Sequence, residues 1–372
     1  MLRKSKNHIC LNHLENIRVI TTKTELLRTL KRYYSRDPEA TTCRYNVFNS
    51  IPTSFNVLSN TKDVDYPLFT QRFKELANGY YADECIPAKH CLENIWIIKP
   101  AAMNQGHGIK VFNNDIEGIR KFLETRPIFT NWVIQKYIER PLLYKNRKFD
   151  IRVWALATSK NEIFYYKAGY LRTSSEEYKL DSKHNYVHLT NNCLQRHGKN
   201  YGTHEEGNTI SFESFQKYID ETWPQLGINL ENHIIPRMKD LIIDSYLAGK
   251  SSINSSRRKN SFELLGYDFL IDEDFRVWLI EINSNPYIGI PNKFIEGLLP
   301  KMLNDLLEIT LDTLHKPINQ LPKRDLKNLF ELLCSEKPKV NKRRSYFTSL
   351  YPLPSLAPQP NTLYPPVLLS LS

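Results

Sequence analysis

The alternation of apolar and polar positions becomes regular at Ile95. IWIIK (95–99) is a continuous apolar run ending on a lysine and predicts a buried strand. MNQGHG then predicts a turn, IKVF a second strand, and 115–124 a helix with Asp115 as its N-cap. WVIQKYI reads as another strand. FDIRVWALAT and EIFYYKAGYLR read as two more, joined by the polar turn Ser159-Lys160-Asn161. Helices are expected at 212–222 and 232–248, and the run GKSSINSSRRKNS (249–261), which has no apolar face, predicts a mobile loop. FELLGYDFLID and FRVWLIEIN predict a hairpin across Glu273-Asp274, and an amphipathic helix follows at 292–314, with Pro300 marking a kink or a break. Upstream, 1–44 shows helix-like spacing at Leu26, Leu27 and Leu30, and 45–91 is irregular around Pro52, Pro67 and Pro87. Beyond Lys337 the chain is basic and then Pro-rich, which predicts a disordered tail, and no internal repeat is visible. The expected class is α+β, with a small N-terminal domain at 1–93, a main domain at 94–316 and a tail at 317–372.

Composition narrows the partners. Lys and Arg number 51 against 40 Asp and Glu in 372 residues, a net charge of +11, so the surface should attract nucleic acid, a phosphate-rich ligand or an acidic protein tail. The six cysteines form no Cys-x-x-Cys pair, as expected of reduced thiols in a cytosolic protein. The N-terminus lacks a continuous apolar core, and no stretch approaches the ~18 apolar residues of a membrane span. Neither a signal peptide nor a membrane partner is expected.

Three constellations carry chemistry. In FRVWLIEIN a period of two places Val277, Leu279, Glu281 and Asn283 on one face, and Trp278, Ile280 and Ile282 on the other. With a two-residue turn at Glu273-Asp274, Asp268 lies opposite Leu279 and diagonal to Glu281. Asp268, Glu281 and Asn283 then converge as hard oxygen ligands of the kind Mg2+ takes beside nucleotide phosphates. Two inward acids repel and resist desolvation, so a cation between them is favoured over polar groups satisfied by the backbone. Second, Lys99 ends a buried strand before a loop with Gly106 and Gly108, where backbone N–H groups and an ammonium could meet phosphate oxygens. A glycine hairpin alone would look the same, and no Walker A sequence follows. Third, RKFDIRVW puts Lys148, Asp150, Arg152 and Trp154 on one strand face, with Arg172 of GYLRT at the end of the adjacent strand. Such a row is commonly a solvated face, but two arginines near two acids make a plausible clamp on a transferring phosphoryl group.

Taken in order, WIIKP with its glycine loop, VIQKYIERPLL, RKFDIRVW, GYLRT, HLTNN, NYGTHEEGN and FELLGYDFLIDEDFRVWLIEINSNP resemble the tubulin tyrosine ligase-like family over 94–314. The resemblance implies an ATP-grasp fold whose central and C-terminal subdomains clamp ATP, with Mg2+ bridging the phosphates. It assigns Lys99, with the loop residues Gln105, Gly106 and Gly108, to the phosphates. The Gln135, Lys136, Tyr137 and Ile138 strand would edge the adenine, which Lys148 would hold. Asp150 falls on the ribose side, Thr190 and Asn191 near the ribose and acceptor. Arg152 and Arg172 become the catalytic arginines, and Asp268, Glu281 and Asn283 the magnesium ligands.

The implied chemistry is attack of an acceptor carboxylate on ATP, followed by attack of an amino group on the acyl-phosphate. It needs positioning and charge stabilisation, not an enzyme nucleophile. His107 and His188 receive no catalytic role. Family members add tyrosine, glutamate or glycine; glutamate is the expected amino acid here, and INSNPYIGIP does not reveal which side chain fits. The expected partners are an acidic tubulin tail and a free amino acid, and the chain is expected to act as a monomer in the cytoplasm, on the cytoskeleton or at a cilium or basal body. Arg257-Arg258-Lys259 and Lys342-Arg343-Arg344 are candidate contacts for the tail. The alternatives are a tyrosine or glycine ligase of tubulin or another acidic protein, and a non-catalytic tubulin- or nucleotide-binding relative on the same fold. A nucleic-acid binder has no supporting aromatic, zinc or helix-turn-helix motif.

Overall fold

The computed structural model describes residues 10–36, 47–79 apart from 60 and 64, 93–101, 106–312 apart from 183, and 327–335. Two sheets face each other across a cleft. In chain order the strands are β1 (Leu11–Asn12), β2 (Ser54–Leu58), β3 (Ile95–Pro100), β4 (Lys110–Asn113), β5 (Asn131–Lys136), β6 (Leu143–Tyr144) and β7 (Arg147–Thr158). There follow β8 (Ile163–Tyr166), β9 (Tyr170–Glu177), β10 (Thr209–Ser211), β11 (Ser261–Ile271), β12 (Val277–Asn283) and β13 (Phe330–Cys334).

The small sheet has the order β2-β5-β3-β4, all antiparallel. Alternation sorts its faces: Trp96, Ile98, Trp132 and Ile134 pack with Phe69 and Phe73 of the helix Asp65–Ala77 and Ile119 and Leu123 of the helix Ile116–Glu124. Ile97, Lys99 and Gln135 take the other face, which is one wall of the cleft. Asp115 caps the second helix as expected, accepting from Gly118 N at 2.7 Å.

The larger sheet is built around β7, which pairs with β6, β8, β9 and β11 and is buried throughout. Phe149, Ile151, Val153, Ala155 and Ala157 face the main core, beside the helices Lys23–Ser35, Phe212–Thr222 and Ile235–Gly249. On the reverse face Trp154 and Leu156 are covered by Ile295, Leu299 and Met302 of the helix Lys293–Thr310, whereas Lys148 and Asp150 line the cleft. One strand thus changes from covered to open along a single face. The functional side chains sit where the covering helix stops.

Several expectations shift. EIFYYKAGYLR is two strands, because β8 and β9 pair different parts of β7 across a break at Lys167–Gly169. The 249–260 loop is pinned: Ile253 is buried, and Asn254 N donates to Glu15 O at 2.9 Å. The helix Lys293–Thr310 runs through Pro300 without a break. Within the expected tail, β13 pairs with β8, and the remainder of that stretch past 335 lies outside the described residues. In the described part of 1–93, β1 pairs with β11 at the edge of the larger sheet, the helix Lys23–Ser35 packs in the main core, and β2 packs in the small one.

Candidate active site

The hairpin β11–β12 differs from its expected register twice, and both differences act on the acids. Its turn has three residues, closed by Asp272 N to Arg276 O at 3.0 Å, with Phe275 in the left-handed region at φ 60°. A bulge then leaves Ile280 unpaired, because Phe269 pairs with Leu279 and Asp268 with Glu281. Val277, Leu279 and Ile282 therefore share the main core, and Glu281 and Asn283 move to the cleft side with Ile280. Asp268 faces Glu281 directly, not Leu279. The three proposed metal ligands come together, by a route that strict alternation misses.

Around Asp268 the charges form a buried alternating network. Arg152, its cross-strand partner, binds it with Nε on Oδ1 and Nη2 on Oδ2 at 2.9 Å. Arg172 makes a two-pronged pair with its own cross-strand partner Asp150, at 2.7 and 2.6 Å, and reaches Asp268 Oδ2 at 2.9 Å. Burial alone would raise the Asp268 carboxyl, but Arg152 and then Arg172 outweigh it and hold it well below the ordinary range. Asn283 Nδ2 donates to Asp268 Oδ2 at 3.3 Å and to Glu281 Oε1 at 3.2 Å. Half a turn of that amide would present its oxygen beside the two carboxylates, a hard donor set that fits Mg2+. Among the described residues no cluster of three His, Cys, Asp or Glu side chains exists, so phosphate and water oxygens would complete the shell.

Two buried ammonium groups line the cleft, Lys99 on β3 of the small sheet and Lys148 on β7 of the larger one. Lys99 donates to Gln135 Oε1 at 2.7 Å, and Gln135 is held by Ser54 Oγ at 3.0 Å. Burial pushes Lys99 down to about 8 against the attraction of Glu281. Lys148 donates to Tyr137 OH at 2.8 Å; burial, and then Lys99, bring it down to about 7 against Asp150. Both line a cleft of about 850 Å³ with Gly106, Gln135, Tyr137, Ile138, Asp150, Thr190, Asn191, Asp268 and Glu281. Lys136 contributes its strand position only, since its ammonium turns away to Glu139 and to Ile95 O. Gly106, at φ 80°, packs near Leu189 and Asn191; Gly108 stands outside the cleft lining, and Gln105 lies outside the described residues.

Thr190 and Asn191 lie between two single helical turns, Asn185–His188 and Asn192–Gln195. Thr190 Oγ1 donates to Asp150 Oδ2 at 2.8 Å. Their segment is fixed by Gln195, fully buried, which donates to Leu189 O at 2.6 Å and Tyr186 O at 2.8 Å and accepts from Ser175 N at 2.9 Å. The sequence signal for Gln195 was its place four residues past the Thr-Asn pair, which reads as a polar surface turn until the contacts are seen. A second chamber of about 1150 Å³ adjoins the first through Thr190, Asn191 and Glu281. Arg152, Tyr170, Arg172, Arg196, Asn283 and Tyr287 are among its walls. One chamber thus holds lysines and the other arginines, with two carboxylates between them.

Known proteins are similar to this chain in sequence. The tubulin glycylase 3A of Drosophila melanogaster is 37% identical over 238 residues, 62% of this chain and 23% of its own length. The tubulin glycylase 3B of Tetrahymena thermophila is 36% identical over 222 residues, 59% of this chain and 18% of its own. The human tubulin monoglycylase TTLL3 is 35% identical over 234 residues, 59% of this chain and 29% of its own. The matched region is less than a third of each of these relatives. The profile of the tubulin-tyrosine ligase family matches residues 1–320, and the chain belongs to that family.

Proposed function

We propose that the chain is an ATP- and Mg2+-dependent ligase that joins glycine to a carboxylate of an acidic tubulin tail. The observation that carries this reading is the junction of the two chambers at Thr190, Asn191 and Glu281, with the lysine pair on one side and the arginine network on the other. In this reading Lys99 and Lys148 hold the nucleotide, and Ile138 and the β5 end border its base. Mg2+, held by Asp268, Glu281 and Asn283, would supply charge neutralisation on the phosphates. Arg152 and Arg172 then stand beside the transferring phosphoryl group, already fixed in place by Asp268 and Asp150. Preorganised cations of this kind stabilise developing charge without reorganising. An acceptor carboxylate and the amino group of the incoming amino acid would meet in the second chamber, where no nucleophilic side chain is required.

Glycine replaces the glutamate expected from the sequence. The relatives are named as glycylases, and the chamber's charges favour the same choice. Its inner arginines are matched by Asp268 and Asp150; of the three arginines lining it, only Arg196, at the rim, has no carboxylate within ion-pair distance among the described residues. A glutamate side chain would bring one more negative charge with little to meet it. Incubation of the full chain with Mg-ATP, tubulin and radiolabelled glycine, glutamate or tyrosine in separate tubes tests this. Glycine alone should label tubulin, and Glu281→Gln should lower labelling by about a hundredfold or more. Labelling by glutamate would refute the choice of amino acid, and full activity of Glu281→Gln would refute the site.

A further inference from the structure

The Lys148 ammonium is tied to a histidine that the reaction scheme leaves idle. Lys148 Nζ lies 2.8 Å from Tyr137 OH, Tyr137 OH 2.9 Å from His188 Nδ1, and His188 Nε2 2.7 Å from Ser182 O. All three side chains are buried. The last link fixes the direction of the others. A carbonyl oxygen can only accept, so the imidazole proton sits on Nε2 and Nδ1 is bare. Tyr137 must then donate to Nδ1, and its oxygen accepts from Lys148. Every group in the chain is satisfied by that one arrangement, and it leaves the other protons of Lys148 free to face the cleft.

We propose that His188, neutral and protonated on Nε2, is a positioning residue that acts through Tyr137 to aim Lys148 at the bound nucleotide. The proposal rests on the reading of the cleft as the nucleotide site. Protonating Nδ1 would turn it from acceptor to donor, so that Tyr137 would face two N–H groups and lose its hydrogen bond to the ring. It would also add a cation beside Lys148 and Lys99. The groups facing the ring among the described residues are Tyr137, Tyr178, whose ring packs edge-on at 6.3 Å, and Lys148, and no carboxylate is among its hydrogen-bond partners. Burial, with Lys148, favours the neutral ring over the pull of Ser182 O, in keeping with the geometry.

The test is the Michaelis constant for ATP of the full chain between pH 5 and 8, with binding of a fluorescent ATP analogue measured alongside. His188→Leu and Tyr137→Phe should each raise the constant about tenfold at pH 8, the effect of losing a hydrogen bond in a charged network, with kcat changed much less. The double variant should be no worse than either single one. His188→Asn, whose amide oxygen can accept from Tyr137 but does not ionise, should restore binding and abolish the loss of affinity that the wild type shows towards pH 5. The nucleotide's own titration is common to both proteins and cancels. Additive effects, an unchanged acid limb in His188→Asn, or wild-type binding by a folded His188→Leu would each overturn the relay. Failure of the wild-type chain to bind the analogue would instead overturn the nucleotide site on which it rests.

Discussion

Lys148 shows how a side chain can be placed against its own electrostatic preference. A folded pKa of about 7 lies below the ordinary 10.5, so the nucleotide-free protein favours the neutral amine. The sign follows: the stability linked to this group is complete above pH 10.5 and is lost as pH falls towards 7. Lys148→Met removes that penalty and keeps most of the apolar volume. Near neutral pH the nucleotide-free variant should melt roughly 3 °C higher than the wild type, and the two should converge towards pH 10. A triphosphate reverses the preference, because it favours both ammonium groups. ATP binding should therefore take up protons and weaken as pH rises through 7 to 8, the values of Lys148 and Lys99. Calorimetry in buffers of different ionisation enthalpy reads the uptake. Unchanged stability in Lys148→Met, or nucleotide binding with no proton uptake above pH 7, would contradict this account.

At the scale of elements, the break between β8 and β9 does what a continuous strand cannot. A Cβ on Gly169 would come within 2.6 Å of Phe212 Cζ and 2.8 Å of both Arg152 O and Val153 Cγ1. Gly169→Ala must shift a backbone carbonyl of β7 or the helix Phe212–Thr222. It should cost about 1 to 3 kcal/mol in thermal or denaturant unfolding, and lower activity because Arg152 moves with its carbonyl. Wild-type stability would show that the sheet absorbs the methyl. The sequence could not announce this break, since EIFYYKAGYLR is apolar enough for one strand and a lone glycine is tolerated in many. The faces of β7 were legible because alternation there is unbroken from Lys148 to Leu156. Asp268 of β11 and Glu281 of β12 were legible as a pair but not in their register. A bulge at Ile280 leaves no mark in a string of apolar residues, and a three-residue turn looks like a two-residue turn with a phenylalanine beside it. Gln195 and His188 escaped for another reason: their roles are set by carbonyls and hydroxyls brought in from other segments, which no local pattern encodes.

At the scale of the whole molecule, the described cations that line the second chamber belong to segments other than 257–259. Arg257, Arg258 and Lys259 precede β11, whose seven steps from Ser261 to Asp268 span about 23 Å. Arg258 also pairs with Glu15 at 3.2 Å. Lys342, Arg343 and Arg344 lie outside the described residues. The second chamber has nearer candidates in Arg196 at its rim and in the exposed Lys199 and Lys293, close in sequence to the lining residues Arg196 and Pro291. On the proposed reading, a tail rich in carboxylates would approach a bound triphosphate, and cations at this mouth would offset its repulsion. Exposed charges are screened over about 8 Å at physiological salt. Raising salt from about 50 to 300 mM should therefore raise the Michaelis constant for tubulin several-fold while that for ATP, held by buried lysines, changes little. Arg196→Glu should weaken tubulin use at low salt and flatten the salt dependence, whereas Arg257→Glu, far from the chamber, should do neither. Tubulin stripped of its acidic tails by protease should not be labelled. Labelling of the stripped protein, or indifference to salt, would remove the acidic tail as acceptor and leave the nucleotide half of the site standing.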